Sequence, residues 1–142
     1  MKKQPGQMSI FFALLLVALV AFLLIAVEVG RVVYARGEVG KAADAAALAA
    51  ASRLNIPLYR ETGQVVFLPD VYETAQYFAS LNSATLASRG IPVIVTGVYI
   101  DEASQTVAVS VSADLSALLP AVLNYHRQYT VTGYAKGRLD GR

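Results

Sequence analysis

His126 is the single histidine of this chain, and there is no cysteine. An imidazole working as a general base needs an acid to orient it, and its neighbours Tyr125 and Arg127 supply none. Without cysteine there is no thiolate nucleophile, no disulfide staple and no thiolate metal site. No phosphate loop and no G-x-G-x-x-G pattern occurs. No catalytic, cofactor-binding or metal-ligating residue is therefore expected, and the chain reads as a non-enzyme. The charged pair with the clearest geometry is Glu28 and Arg31, three residues apart and so on one helical face, where they can form an ion pair. The pair directly follows a long apolar run, where charges at lipid headgroups fix a helix's depth. Replacing both by Leu is expected to leave insertion intact.

That run is residues 9–27, SIFFALLLVALVAFLLIAV, without one charge, Gly or Pro. As a helix it measures about 28 Å, close to the hydrocarbon thickness of a bilayer. The remaining residues are too few to bury such a helix on all sides. A cleaved secretory signal would have a shorter apolar stretch ending in a small-residue site. The expectation is one uncleaved transmembrane span. Charge is unevenly placed: residues 1–54 carry six Lys/Arg against three acids, and residues 55–142 six against seven. The outer part is thus near neutral and lacks the basic stripe that nucleic-acid binding needs. Lys2 and Lys3 precede the span, while Arg31, Arg36 and Lys41 follow it, so the charge rule is nearly balanced. The short basic tail of a signal anchor puts the N-terminus inside and the C-terminal domain outside the cytoplasm.

The helical pattern continues past the membrane. From residue 28 to 53 there is no Pro, and Val32, Ala35, Val39, Ala42, Ala46 and Ala49 recur at three-four spacing on one stripe. This is the expected helix-packing face. An Ala-rich surface lets another helix approach closely; equally, Ala is the best helix former and stiffens a stalk. Asn55-Ile56-Pro57 ends the element. Beyond it the pattern predicts a short strand over 64–68 and a helix over 70–88, with Asp70 as N-cap and Glu73 completing a capping box. A hairpin of 91–100 with 106–113, a short helix over about 115–124 opened by Asp114, and a last strand over 128–136 complete the pattern. The tyrosines of this region, Tyr59, Tyr72, Tyr77, Tyr99, Tyr125, Tyr129 and Tyr134, are expected mostly in core or rim packing. The expected fold class is α+β: residues 1–54 as basic tail, transmembrane helix and helical stalk, and residues 55–142 as a small antiparallel sheet packed with one or two helices.

The order Gly6-Gln7, apolar span, Val29-Gly30-Arg31 and then Ala42-Ala43-Asp44-Ala45-Ala46-Ala47-Leu48-Ala49 resembles the N-terminal region of TadG-like proteins of the Tad (tight adherence, or Flp) pilus-assembly family. The resemblance covers about residues 4–54. It implies a pilin-like layout and an inner-membrane component of a bacterial machine that assembles thin adhesive pili. Such a chain would be an assembly protein or minor pilin-like subunit, partnered by the bilayer and by other pilus subunits through helix packing, and capable of forming a homo-oligomer. It also implies a possible processing site, since pilin-like members are cut after a Gly behind a short basic leader; here that is Gly6, with Gln7 next. The fifth position after Gly6 is Phe11, where pilins usually carry Glu, a departure from a filament-core subunit. Longer members carry a metal-binding von Willebrand A-type domain, whose Asp-x-Ser-x-Ser loop is matched at Asp114 and Ser116 but not at Leu118. The alternative reading, from a different class, is an envelope-tethered binding module unrelated to pili.

Overall fold

A computed structural model of the chain describes residues 5–101, 104, 106–118 and 128–138. Helix α1 (Pro5–Ala51) runs unbroken for 47 residues, about 70 Å at helical rise. It opens at Pro, which suits a first turn because the missing N–H has no partner there, and passes through Gly30, Gly37 and Gly40 without interruption. From residue 8 to 27 every position is exposed. Among the described residues this is the one helix long and apolar enough to cross a membrane, with a mean hydropathy of 3.3 in its most apolar window.

The second half of the same helix is part of a core. Ala35, Val39, Ala42, Ala43, Ala46, Ala47 and Ala50 are each no more than 1% exposed. They lie against a three-stranded antiparallel sheet of order β1-β2-β3, formed by β1 (Val93–Asp101), β2 (Thr106–Ser116) and β3 (Gln128–Arg138). Strict alternation along β2 directs Val107, Val109, Val111, Ala113 and Leu115 inward, all buried. Two shorter helices follow α1 in sequence, α2 (Ile56–Thr62) and α3 (Val71–Asn82), and α3 packs beside α1 through Ala75 and Ala79. The molecule is α+β: a long apolar helix, short helices and a small antiparallel sheet.

Two glycines set how closely α1 lies on β3. A methyl group at Gly133 would meet the Val39 carbonyl oxygen at 2.8 Å, and one at Gly137 would meet that of Ala47 at 2.6 Å. Only a bare backbone fits there. Four strand residues advance about 13 Å and eight helix residues about 12 Å, so β3 runs alongside α1 in the same direction. β2 therefore runs back toward the apolar end of the rod. The free edge of β1 is covered by α3: the Gln76 amide donates to Val93 O at 3.1 Å and accepts from Val95 N–H at 2.8 Å, and the Tyr72 hydroxyl donates to Val95 O. Edge strands left open template unwanted pairing.

Several expectations need correction. Residues 64–68 join no sheet; Phe67 forms one isolated bridge with Leu54, just after α1 ends. Pro57 follows the end of α1 but sits in the first turn of α2, which Asn55 caps by accepting the Leu58 N–H at 3.2 Å. The helix expected over 70–88 divides at Ser83 into α3 and α4 (Ala84–Ala87), because the Ser83 hydroxyl donates back to Ala79 O at 2.8 Å. Asp70 makes no capping hydrogen bond, its carboxylate being engaged by Arg53. Asp114 opens no helix: β2 continues through it to Ser116, and it accepts the Thr130 hydroxyl of β3 at 2.7 Å. The rest of the helix expected to follow, residues 119–124, lies outside the described residues, as do Tyr125 and His126. Of the core or rim packing expected for the tyrosines, the core part fails: Tyr72, Tyr77, Tyr99, Tyr129 and Tyr134 are exposed and Tyr59 is half-buried, with Tyr72 packed at the rim of the sheet.

Candidate functional site

Where the apolar run of α1 gives way to charge, Glu28 is only 8% exposed. Arg31 donates to its carboxylate at 3.3 Å, the i,i+3 contact that helical geometry allows. The same carboxylate accepts the backbone N–H of Leu118, at 3.2 Å and 3.1 Å to its two oxygens. The Arg31 guanidinium reaches the Ser116 carbonyl oxygen at 3.5 Å. The pair is thus more than a depth marker. It is a clamp that holds the end of β2 against the rod, through contacts spanning 85 and 90 residues of sequence. Hydrogen bonds to a charged carboxylate contribute about 1.5–3 kcal/mol where solvent is excluded.

About two turns beyond Arg31, Glu38 takes Lys41 at 2.7 Å and the Thr85 hydroxyl at 2.8 Å, tying α4 to α1. These two hydrogen bonds, the Lys41 ammonium first, hold the Glu38 carboxyl below its ordinary value; Glu38 in turn raises the Lys41 ammonium. Above this, Arg53 and Asp70 pair at the far end of the rod.

The expected helix-packing stripe is placed inside the chain. Val32 is half-buried; Ala35, Val39, Ala42, Ala46 and Ala49 are buried, under the sheet and α3. The small residues allow close approach, but to the chain's own β3, where Gly133 and Gly137 provide the matching gap. The face of the Ala-rich segment open to a partner is the opposite one. Val33, Gly37, Lys41, Asp44 and Leu48 follow one another at helical spacing and are exposed, Leu48 at 72%. In the run Ala42-Ala43-Asp44-Ala45-Ala46-Ala47-Leu48-Ala49, Asp44 and Leu48 are the two that point fully outward. Gly6 and Gln7 lie in the first turns of α1.

Sequence reasoning found Glu28 and Arg31 but not Ser116, Leu118 or Thr85, whose roles depend on long-range docking. The available signal was the unbroken apolar alternation through Leu115, which carries β2 down to the clamp. Among the described residues no group of three or more His, Asp or Glu side chains is arranged to hold a metal ion.

The comparisons bear on the same helix. Residues 6–53 match the family model for Flp pilus-assembly proteins of the TadE/G-like kind. No curated protein and no solved structure matches the chain. The matched segment is almost coextensive with α1, so it is this helix that is similar to the TadE/G-like proteins of Flp pilus assembly.

Proposed function

We propose that this chain is a membrane-anchored assembly protein or minor pilin-like subunit of a Tad-type pilus, acting by protein–protein packing and not by turnover. The observation that carries the reading is the coincidence of the family segment, residues 6–53, with one helix whose first half is bare and apolar and whose second half is core. A helix built this way couples the position of the outer domain to that of the span, as a subunit delivered from a membrane into an assembly requires. The anchor lies in the bacterial inner membrane with the sheet outside the cytoplasm, and residues 1–54 and 55–142 divide by role into anchor and outer domain, with the inner face of the anchor shared between them. Other pilus subunits meet the exposed stripe that ends in Asp44 and Leu48. A prepilin-type peptidase would cut after Gly6, leaving Gln7 first.

The test is photo-crosslinking in the native host with a benzophenone amino acid at position 48, beside the same label at the buried position 46. Capture of another Flp component from position 48 and not 46, and loss of pili when the gene is deleted, are expected. Normal pili in the deletion strain would sink the proposal. N-terminal sequencing decides the processing: a start at Gln7 supports it, and an intact Met1 rules it out.

A further inference from the structure

A cavity of about 80 Å³ lies beside the clamp. Arg31 and Tyr34 of α1, Leu86 of α4, Arg89 and Ile91 just after it, and Leu115 of β2 form its walls. Its floor is apolar, with Leu86 1% and Leu115 3% exposed, and no acid lines it. Two guanidinium groups do. Arg31 has five N–H donors and shares them with Glu28 and Ser116 O, leaving others unused. Arg89 lies over the Tyr34 ring, 5.1 Å from its centroid, and makes no direct ion pair among the described residues, its charge reaching Glu38 only through space. A cation–π contact engages the positive charge without taking up the N–H donors, which suits a guanidinium that also meets a phosphate oxyanion. The space holds several water-sized groups, and hence the four oxygens of one phosphate.

Depth identifies the source. Arg31 stands four residues beyond Val27, about 6 Å along the axis, and Tyr34 about 10 Å. Helical side chains lean toward the N-terminus, here toward the bilayer. The headgroup layer is about 5–8 Å thick on each side of the hydrocarbon, so Arg31 stands within it and Tyr34, with Arg89 over its ring, leans toward its outer edge, where aromatic rings and basic side chains meet lipid headgroups.

We propose that Arg31 and Arg89 bind the phosphate of an anionic phospholipid headgroup in this cavity, fixing the outer domain against the membrane surface. The inference rests on the anchored reading above. It names a ligand for a site that otherwise serves only as a joint.

The test uses the full-length chain in detergent, by native mass spectrometry with phosphatidylglycerol, phosphatidylcholine or inorganic phosphate added. Arg89 is exposed and outside the clamp, so Arg89→Gln leaves the fold in place. Wild type is expected to retain phosphatidylglycerol over phosphatidylcholine, Arg89→Gln to lower that retention about tenfold, and Arg89→Lys to fall between them. Equal retention by wild type and Arg89→Gln overturns the proposal. Saturable inorganic phosphate binding that needs Arg89, with both lipids retained alike, overturns the headgroup assignment in favour of a free phosphate. A parallel alkaline carbonate wash of membranes separates the two levels of failure. A chain washed free fails as an anchor, whereas a chain that stays but shows no Arg89-dependent lipid fails this inference alone.

Discussion

Substitution of Gly137 by Ala tests the close seating of α1 on the sheet. The new methyl carbon would lie 2.6 Å from the Ala47 carbonyl oxygen, 3.1 Å from its carbon and 3.2 Å from the Ala51 methyl. Ordinary contact begins near 3.4 Å, so the strand or the rod must yield by roughly 0.8 Å, and a gap of that size forfeits a quarter to a half of each local dispersion contact. The obstruction is helix backbone, which cannot swing aside. The expected loss is about 1–3 kcal/mol, or roughly 4–24 °C in the outer domain's melting temperature, at 4–8 °C for each kcal/mol in a domain of this size. Gly97→Ala is the internal control. The three atoms its methyl would meet most closely all belong to the Tyr99 side chain, the nearest at 2.6 Å, and that residue is 60% exposed and can rotate outward, so a smaller loss is expected. Gly133→Ala lifts the same strand from the same helix. The double variant should therefore cost less than the sum of the two singles, because one separation relieves both contacts. Thermal unfolding followed by near-ultraviolet circular dichroism in detergent gives the values. A Gly137→Ala protein as stable as wild type would show that the helix and β3 are not seated as described.

Other outcomes follow from the same contacts. Glu28→Ala should speed hydrogen exchange at the Leu118 amide and destabilise the foot of β2 by about 1.5–3 kcal/mol, while Glu28→Leu with Arg31→Leu leaves membrane insertion unchanged. Because the Glu38 carboxyl is held below its ordinary value, its contribution is complete above the ordinary Glu range and is lost as pH falls through the lowered value. The Lys41 share is complete below the ordinary Lys range and is lost as pH rises through its raised value. Protection factors of the α4 amides, which take out the intrinsic pH dependence of exchange, should therefore be flat across neutral pH and fall in acid, and Glu38→Gln should abolish the acid step. Gln76→Ala removes two hydrogen bonds to the edge of β1 and should cost about 1–3 kcal/mol, with faster aggregation of the purified chain as a second readout.

The sequence revealed what depends on local pattern. The span and its helical continuation were legible because apolar content, the absence of Pro and three-four spacing all agree over residues 9–51. The hairpin was legible because β2 alternates strictly. What the stripe faces was not legible. Ala at these positions suits a partner helix and a sheet equally, and the deciding residues, Gly133 and Gly137, lie far away in sequence. Asp70 and Asp114 have residue types and positions typical of helix caps, yet Arg53 and Thr130 engage them across long separations. The division at Ser83 came from one hydroxyl turning back on the preceding helical turn, a choice that propensity leaves open. Glu28 could be matched to Arg31 by spacing alone, but its second partner, the Leu118 amide, exists only once β2 has run back along the rod.

Hydrogen exchange of the full-length chain in lipid nanodiscs reports on α1 as both anchor and core element. An Ala-rich helix without tertiary support is marginal in water and frays quickly. Amides of residues 35–50 should exchange as slowly as those of 107–115 in β2, in one cooperative step, while residues 9–27 stay protected by lipid. Exchange at 35–50 many times faster than in β2 would mean a free stalk, and the joined anchor and core would be wrong.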